Sequence, residues 1–154
     1  MDKIDLKILS TLQSNAGLST GDIAEQVGLS QSQCWRRMAN LKESGVIRDQ
    51  VTRMDRRKLG FGAMVFAHVK VTAHGRANLD EFTNAVMKYP EITECHAIMG
   101  PFDFLLRIVT KDMDAYEKFV FGKLSRVPGV QEINSTMALS EVKSTSALPI
   151  ETLM

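Results

Sequence analysis

Apolar residues recur at helical spacing across residues 2–15, where Ile4, Leu6, Ile8, Leu9 and Leu12 share a face. The pattern returns twice within LSTGDIAEQVGLSQSQCWRRMANLKESGVI, residues 18–47. Ser19 stands three residues before Asp22, a helix start, and Ile23, Ala24 and Val27 follow as an apolar stripe. Gly28 closes that helix, because glycine enters the left-handed conformation at no steric cost. Ser30 and Gln33 form a capping box for the next helix, with Cys34, Met38 and Leu41 facing inward. Gly45, Val46 and Ile47 then begin an extended segment. Three helices followed by a short ribbon predict a winged helix-turn-helix.

After Gly62 the pattern changes and repeats with an offset of 38 residues, as from Met64 to Phe102. MVFAHVKV is matched by FDFLLRIV, Phe82 and Val86 by Val120 and Leu124, and YPEITE by VPGVQE. Each copy reads strand, helix, strand. In the first, a strand over 63–72 precedes a helix over 78–89 with Leu79, Phe82, Val86 and Tyr89 on one stripe. Pro90 stops that helix, and a strand follows over 92–99. In the second, a strand over 102–110 leads to a helix capped by Asp112. That helix runs to about 124 with Met113, Tyr116, Val120 and Leu124 inward, and a last strand covers 130–140. The expected fold is α+β: an N-terminal winged helix-turn-helix plus a C-terminal ferredoxin-like βαββαβ sandwich. The expected division is 1–50 for the first domain, 51–61 for a hinge with a short strand, and 62–154 for the second.

The strands are apolar on both sides. Phe102, Phe104, Leu106 and Ile108 oppose Asp103, Leu105, Arg107 and Val109; Ala63, Val65, Ala67, Val69 and Val71 oppose Met64, Phe66 and His68. Two helices cover one face of a sheet, so the second face calls for a partner, most simply another copy related by a twofold axis.

Charge is concentrated rather than abundant. Between residues 29 and 58 stand Arg36, Arg37, Lys42, Arg48, Arg53, Arg56, Arg57 and Lys58 against Glu43, Asp49 and Asp55, a local +5 in a chain of net +1. Gln31, Ser32, Gln33, Arg36 and Arg37 fall on the outer side of the third helix. Arginine pairs with guanine, glutamine with adenine, and both reach phosphates, so double-stranded DNA is the expected partner. Trp35 on the same helix either packs against the domain, the favoured reading, or leans on a DNA sugar. The hinge bases either touch DNA backbone or form a solvated face.

Other chemistry is sparse. Cys34 and Cys95 are far apart and fall in a predicted helix and strand, and His68, His74 and His96 have no ligand-like spacing, so neither disulfide nor metal is expected. No apolar run is long enough to cross a bilayer, and MDKIDLKIL carries acids where a secretion signal has bases, so a cytoplasmic protein without a membrane partner is expected. No nucleophile stands with a base and orienting group, which argues against an enzyme. A DNA-coating architectural protein stays open beside a sequence-specific regulator.

Taken together, IDLKILSTLQ, DIAEQVGLS, RRMANLKESGVI and MDRRKLG, then PEITECHAIMGPFDFLLRIVTKDMDAYEKFV and VPGVQEINSTMALSEVKSTSALPI, resemble the Lrp/AsnC family of feast/famine regulators over nearly the whole chain. The resemblance implies a transcription regulator that dimerises through its C-terminal domain, often assembles into octamers, and binds a small-molecule amino acid between dimers, with no other cofactor. The family's Gly-x-x-Asp effector loop is Gly100-Pro101-Phe102-Asp103 here. Asp103 suits an ammonium group, while the Gly100 amide and Thr136 hydroxyl suit a carboxylate. Thr136, Met137 and Ala138 match last-strand positions that line the pocket, and Met99 and Phe102 would form apolar walls. Pro101 departs from the many relatives that carry an acid there.

Overall fold

The computed structural model describes residues 1–72 and 79–154. It divides into two compact units, 1–53 together with 143–154, and 54–142.

In the first unit, α1 (Lys3–Ser14), α2 (Thr20–Val27) and α3 (Gln31–Glu43) each begin at a capping box. The Asp2 carboxylate accepts the Ile4 and Asp5 amides, each at 2.9 Å, and Asp5 accepts the Asp2 amide at 2.8 Å. Ser19 and Asp22, then Ser30 and Gln33, repeat the arrangement. Each box satisfies N–H groups that the first turn leaves without helical partners. Gly28 ends α2 at φ 73°, and its amide reaches the Ala24 and Glu25 carbonyls. The three helices close on Ile8, Ile23, Ala24, Cys34 and Leu41, with Ile4, Leu12, Val27 and Met38 packed around them.

Two expectations fail in and beyond this unit. Residues 45–62 hold no strand, so neither the wing ribbon nor the hinge strand forms; a turn at 56–60 stands there instead. Asp55 Oδ1 takes the Arg57 and Lys58 amides, and Arg56 binds the Phe61 and Gly62 carbonyls, so local polar contacts replace strand pairing. The tail from residue 143 belongs with the helices rather than with the 62–154 domain. Gln13 exchanges two hydrogen bonds with the Leu148 backbone, at 2.8 and 3.0 Å. Ser10 donates to Glu151, and Ile150 is buried in a final turn. An apolar side chain and a paired amide hold the tail better than solvent does.

In the second unit, β1 (Ala63–Val71), β2 (Ile92–Ala97), β3 (Phe104–Thr110) and β4 (Val130–Met137) form one antiparallel sheet in the order β2-β3-β1-β4. Helices α4 (Leu79–Lys88) and α5 (Met113–Gly122) supply the cover. The βαββαβ order and mixed α+β class agree with the repeat in the sequence. Val65, Ala67, Val69, Leu106 and Ile108 pack with Phe82, Val86, Tyr116, Phe119 and Leu124 in one core. Each valine, leucine, isoleucine and phenylalanine among them contributes about 1.5–3 kcal/mol by leaving water. The expected start of α4 at Asn78 lies outside the described residues. Leu79 and Met113, expected inward, are 41% and 42% exposed; Met113 stands at the first position of α5, before the core closes over it. The strands are shorter than the apolar pattern predicts: the turn joining β2 to β3 takes residues 98–103, and β4 stops at Met137.

The outer sheet face is apolar at its centre and polar at its edges. Phe66, Leu105 and Val109 are half-buried, and Met64 is buried, with Arg107 Nε 3.3 Å from its sulfur. Thr136, Asn134 and Glu132 on β4 stand beside Phe66, His68 and Lys70. Among the described residues no helix is long and apolar enough to cross a membrane.

Candidate functional site

The exposed side of α3 is a small polar surface with one aromatic ring on it. Gln31, Ser32, Trp35 and Arg36 are all exposed near its N-terminal end. Ser30 Oγ accepts the Gln33 amide, and Gln33 Oε1 accepts both the Ser30 amide and its hydroxyl, so Gln33 contributes its carbonyl to the cap and keeps its amide donors. Trp35 does not pack into the domain: it is 65% exposed, because Cys34 and Met38 already fill the inward positions and the neighbouring residue must point away.

Arg37 is placed differently from Arg36. Its Nη1 donates to Asp2 Oδ2 at 2.9 Å and to Asp5 Oδ1 at 2.7 Å, tying α3 to the first turn of α1. The two carboxylates push the Arg37 guanidinium above its usual range, Asp5 most strongly. Asp2 is held below its ordinary value, chiefly by the Asp5 amide it accepts and then by Arg37. The two arginines expected to act together therefore diverge. Arg53 is likewise engaged, on the Ser144 carbonyl and hydroxyl at 3.1 Å each.

The effector candidates fall into two groups. One is the turn between β2 and β3. Met99 is fully exposed there, Gly100 has φ 148°, a conformation suited to glycine, and the Phe102 ring lies 5.4 Å from that of His68. Asp103 is anchored: its amide reaches the Val69 carbonyl and its Oδ2 accepts the Val71 amide, both at 2.9 Å. Val71 lies beyond the end of the β3 ladder, and the carboxylate satisfies an amide no strand reaches. The other group is the end of β4. Thr136 is exposed beside Phe66, and the Ala138 amide bonds the Met64 carbonyl.

A single chain does not bring these groups together. Phe66, the neighbour of Thr136, and Val71, which holds the Asp103 carboxylate, are five positions apart along β1. At the rise of an antiparallel strand that is about 17 Å. An amino acid carries its ammonium and carboxylate on one carbon, so it cannot touch both within one protomer. A cleft of about 550 Å³ does open between α5 and β4, but Asp114, Tyr116, Glu117 and Phe121 line it, and none of the effector candidates does. Among the described residues no His, Cys, Asp and Glu cluster is arranged to hold a metal.

Sequence reasoning missed Asp2 and Asp5, which lie 35 and 32 positions from Arg37. The acids read only as charges at the start of an amphipathic helix, and nothing local paired them with an arginine on another helix.

The comparisons agree with both units. Residues 1–48 match the winged helix-turn-helix DNA-binding family, and residues 64–148 match the Lrp/AsnC ligand binding domain. The chain is 33% identical over 151 residues to the DNA-binding transcriptional activator DecR of Escherichia coli K12, covering 98% of this chain and 99% of that one. It is 32% identical over 151 residues to the transcriptional regulator AzlB of Bacillus subtilis, covering 98% and 96%. A transcriptional regulator of Neisseria meningitidis, solved as an L-Met complex, superposes with a TM-score of 0.94 at 34% identity, covering 100% of this chain and 99% of that one. With three capped helices in one unit and a βαββαβ sheet in the other, each matched over nearly its full length, this chain is a DNA-binding transcriptional regulator that belongs to the Lrp/AsnC family.

Proposed function

We propose that this regulator acts in the cytoplasm, reading paired DNA half-sites as a dimer through Gln31, Ser32, Gln33 and Arg36, under control of an amino acid bound between protomers. The observation that carries the reading is the outer surface of α3, where the first two turns behind the cap present Gln31, Ser32 and Arg36 to solvent. Such a surface suits base edges and phosphates in a major groove. Trp35 adds apolar area for a thymine methyl or a sugar.

The half-buried apolar centre of the outer sheet face supports a second copy seated on it, and a twofold pair suits a palindromic site. Further assembly of dimers, up to an octamer, would bring β2–β3 turns and β4 ends of different protomers together. Met99, Gly100, Phe102 and Asp103 from one chain, with Thr136 and Ala138 from another, then enclose one ligand. The methionine complex of the Neisseria regulator makes L-methionine a first candidate. The ligand acts by favouring the assembly that it fits, since it shifts only an equilibrium between states it distinguishes.

Footprinting on a duplex selected by the wild-type protein from a random pool tests the DNA half. Arg36→Ala should weaken binding by about 10-fold or more, the worth of one good base pairing. A footprint unchanged in Arg36→Ala and in Gln31→Ala would remove α3 as the reader. A thermal-shift screen across the amino acids tests the effector half, because a ligand of the folded form raises Tm.

A further inference from the structure

Arg37 is the residue whose surroundings fit least with its place in the sequence. It adjoins Arg36, yet on an α-helix successive side chains diverge by about 100°. Arg36 is exposed, whereas Arg37 turns toward α1, with its side chain 32% exposed and that of Asp5 14%. One nitrogen, Nη1, serves both carboxylates. To meet a phosphate or a base, Arg37 would have to give up two charge-assisted hydrogen bonds and leave two acids unpaired near a polyanion.

We infer that Arg37 is a positioning residue: the Asp2 and Asp5 carboxylates at the head of α1 clamp it and so fix the rotation of α3 that presents Gln31, Ser32 and Arg36. The inference rests on the reading of α3 as the DNA-reading helix. It assigns a function in recognition to two acids that would otherwise repel DNA. It also makes a prediction of unusual sign. Removing acids from a DNA-binding surface ordinarily strengthens binding by lessening repulsion. Here their removal frees α3 and lowers discrimination.

The test uses the full chain and four variants, Asp2→Asn/Asp5→Asn, Arg37→Gln, Arg36→Gln and Gln31→Ala. Asparagine keeps an oxygen acceptor at both capping positions, so the helix start survives while the charge is lost. Affinity for the selected duplex and for a scrambled duplex is measured by gel shift between about 50 and 200 mM salt. The clamp predicts that the double asparagine variant and Arg37→Gln each lose about tenfold in preference for the selected duplex, with the salt dependence of the wild type. Arg36→Gln should instead flatten the salt dependence. The clamp is overturned if the double asparagine variant discriminates as well as wild type while Arg37→Gln weakens on both duplexes. In that case the slope of log K against log salt would fall by about 0.9 for each phosphate no longer neutralised. Should Arg37→Gln fail to fold, the asparagine variant alone decides between these results. If Arg36→Gln and Gln31→Ala weaken binding while the asparagine variant discriminates as wild type, the clamp falls and the reading of α3 stands. If Arg36→Gln and Gln31→Ala bind as wild type, α3 is not the reader and the clamp falls with that reading. If all four bind as wild type, the reading of α3 and the clamp fall together.

Discussion

A ligand site divided between two chains can be tested by mixing two damaged proteins. Asp103→Asn keeps an oxygen for the Val71 amide, 2.9 Å away, but removes the charge offered to a ligand ammonium. Thr136→Val keeps the shape of an exposed side chain and removes its hydroxyl. A hydrogen bond to a charged group is worth about 1.5–3 kcal/mol, so either change should weaken binding by roughly 10- to 150-fold. The separation of about 17 Å along β1 places the two groups in different halves of any composite site. Each variant alone then has every site damaged. After unfolding and refolding as an equal mixture, about one quarter of the sites should pair an intact turn with an intact β4 end, if subunits associate at random. Isothermal calorimetry with the amino acid found by thermal shift reads this directly, as a recovered stoichiometry near one quarter with wild-type affinity. A mixture that binds no better than its components would refute the divided site, because a site contained within one chain cannot be rebuilt by mixing.

Other consequences follow from single contacts. Ser30→Ala removes the cap that receives the Gln33 amide and should cost about 1 kcal/mol of stability, read as a lower denaturant midpoint. Gly28→Ala meets no atom within 4 Å, so its cost is the left-handed backbone alone, about 1–2 kcal/mol, and Gly28→Asn should cost less. Leu106→Ala, at a fully buried position of β3, should lose about 2–5 kcal/mol in chemical denaturation. The Ser19 hydroxyl and amide hold Asp22 below its ordinary 3.8. A depressed carboxylate contributes stability above its unfolded value and loses it as pH falls through the folded one, so Asp22→Asn should flatten the acid side of the stability profile below about pH 4. Trp35 is the chain's single tryptophan and is exposed, so its fluorescence should change when the selected duplex binds, and an unchanged spectrum would place the duplex elsewhere.

Features that depend on neighbours in the chain were readable from the residues alone. Ser19 with Asp22, and Ser30 with Gln33, were legible because a capping box spans three residues. Gly28 marked its turn because few other residues enter that backbone conformation. The 38-residue repeat disclosed the βαββαβ unit because each copy must bury the same stripe. Contacts that join distant segments emerge with the folded chain. Arg37 and Arg36 look alike in sequence, and only the approach of α1 gives one of them two carboxylates. Trp35 read as a packing residue by its composition, yet the helix phase fixed by Cys34 and Met38 turned it outward. The tail read as part of the second domain because it follows β4, whereas Gln13 and a buried Ile150 hold it on the first. Asp103 and Thr136 both belong to the effector site expected between dimers, and only the register of β1 shows that within one chain they stand far apart, because pairing between strands fixes distance in a way that sequence order does not.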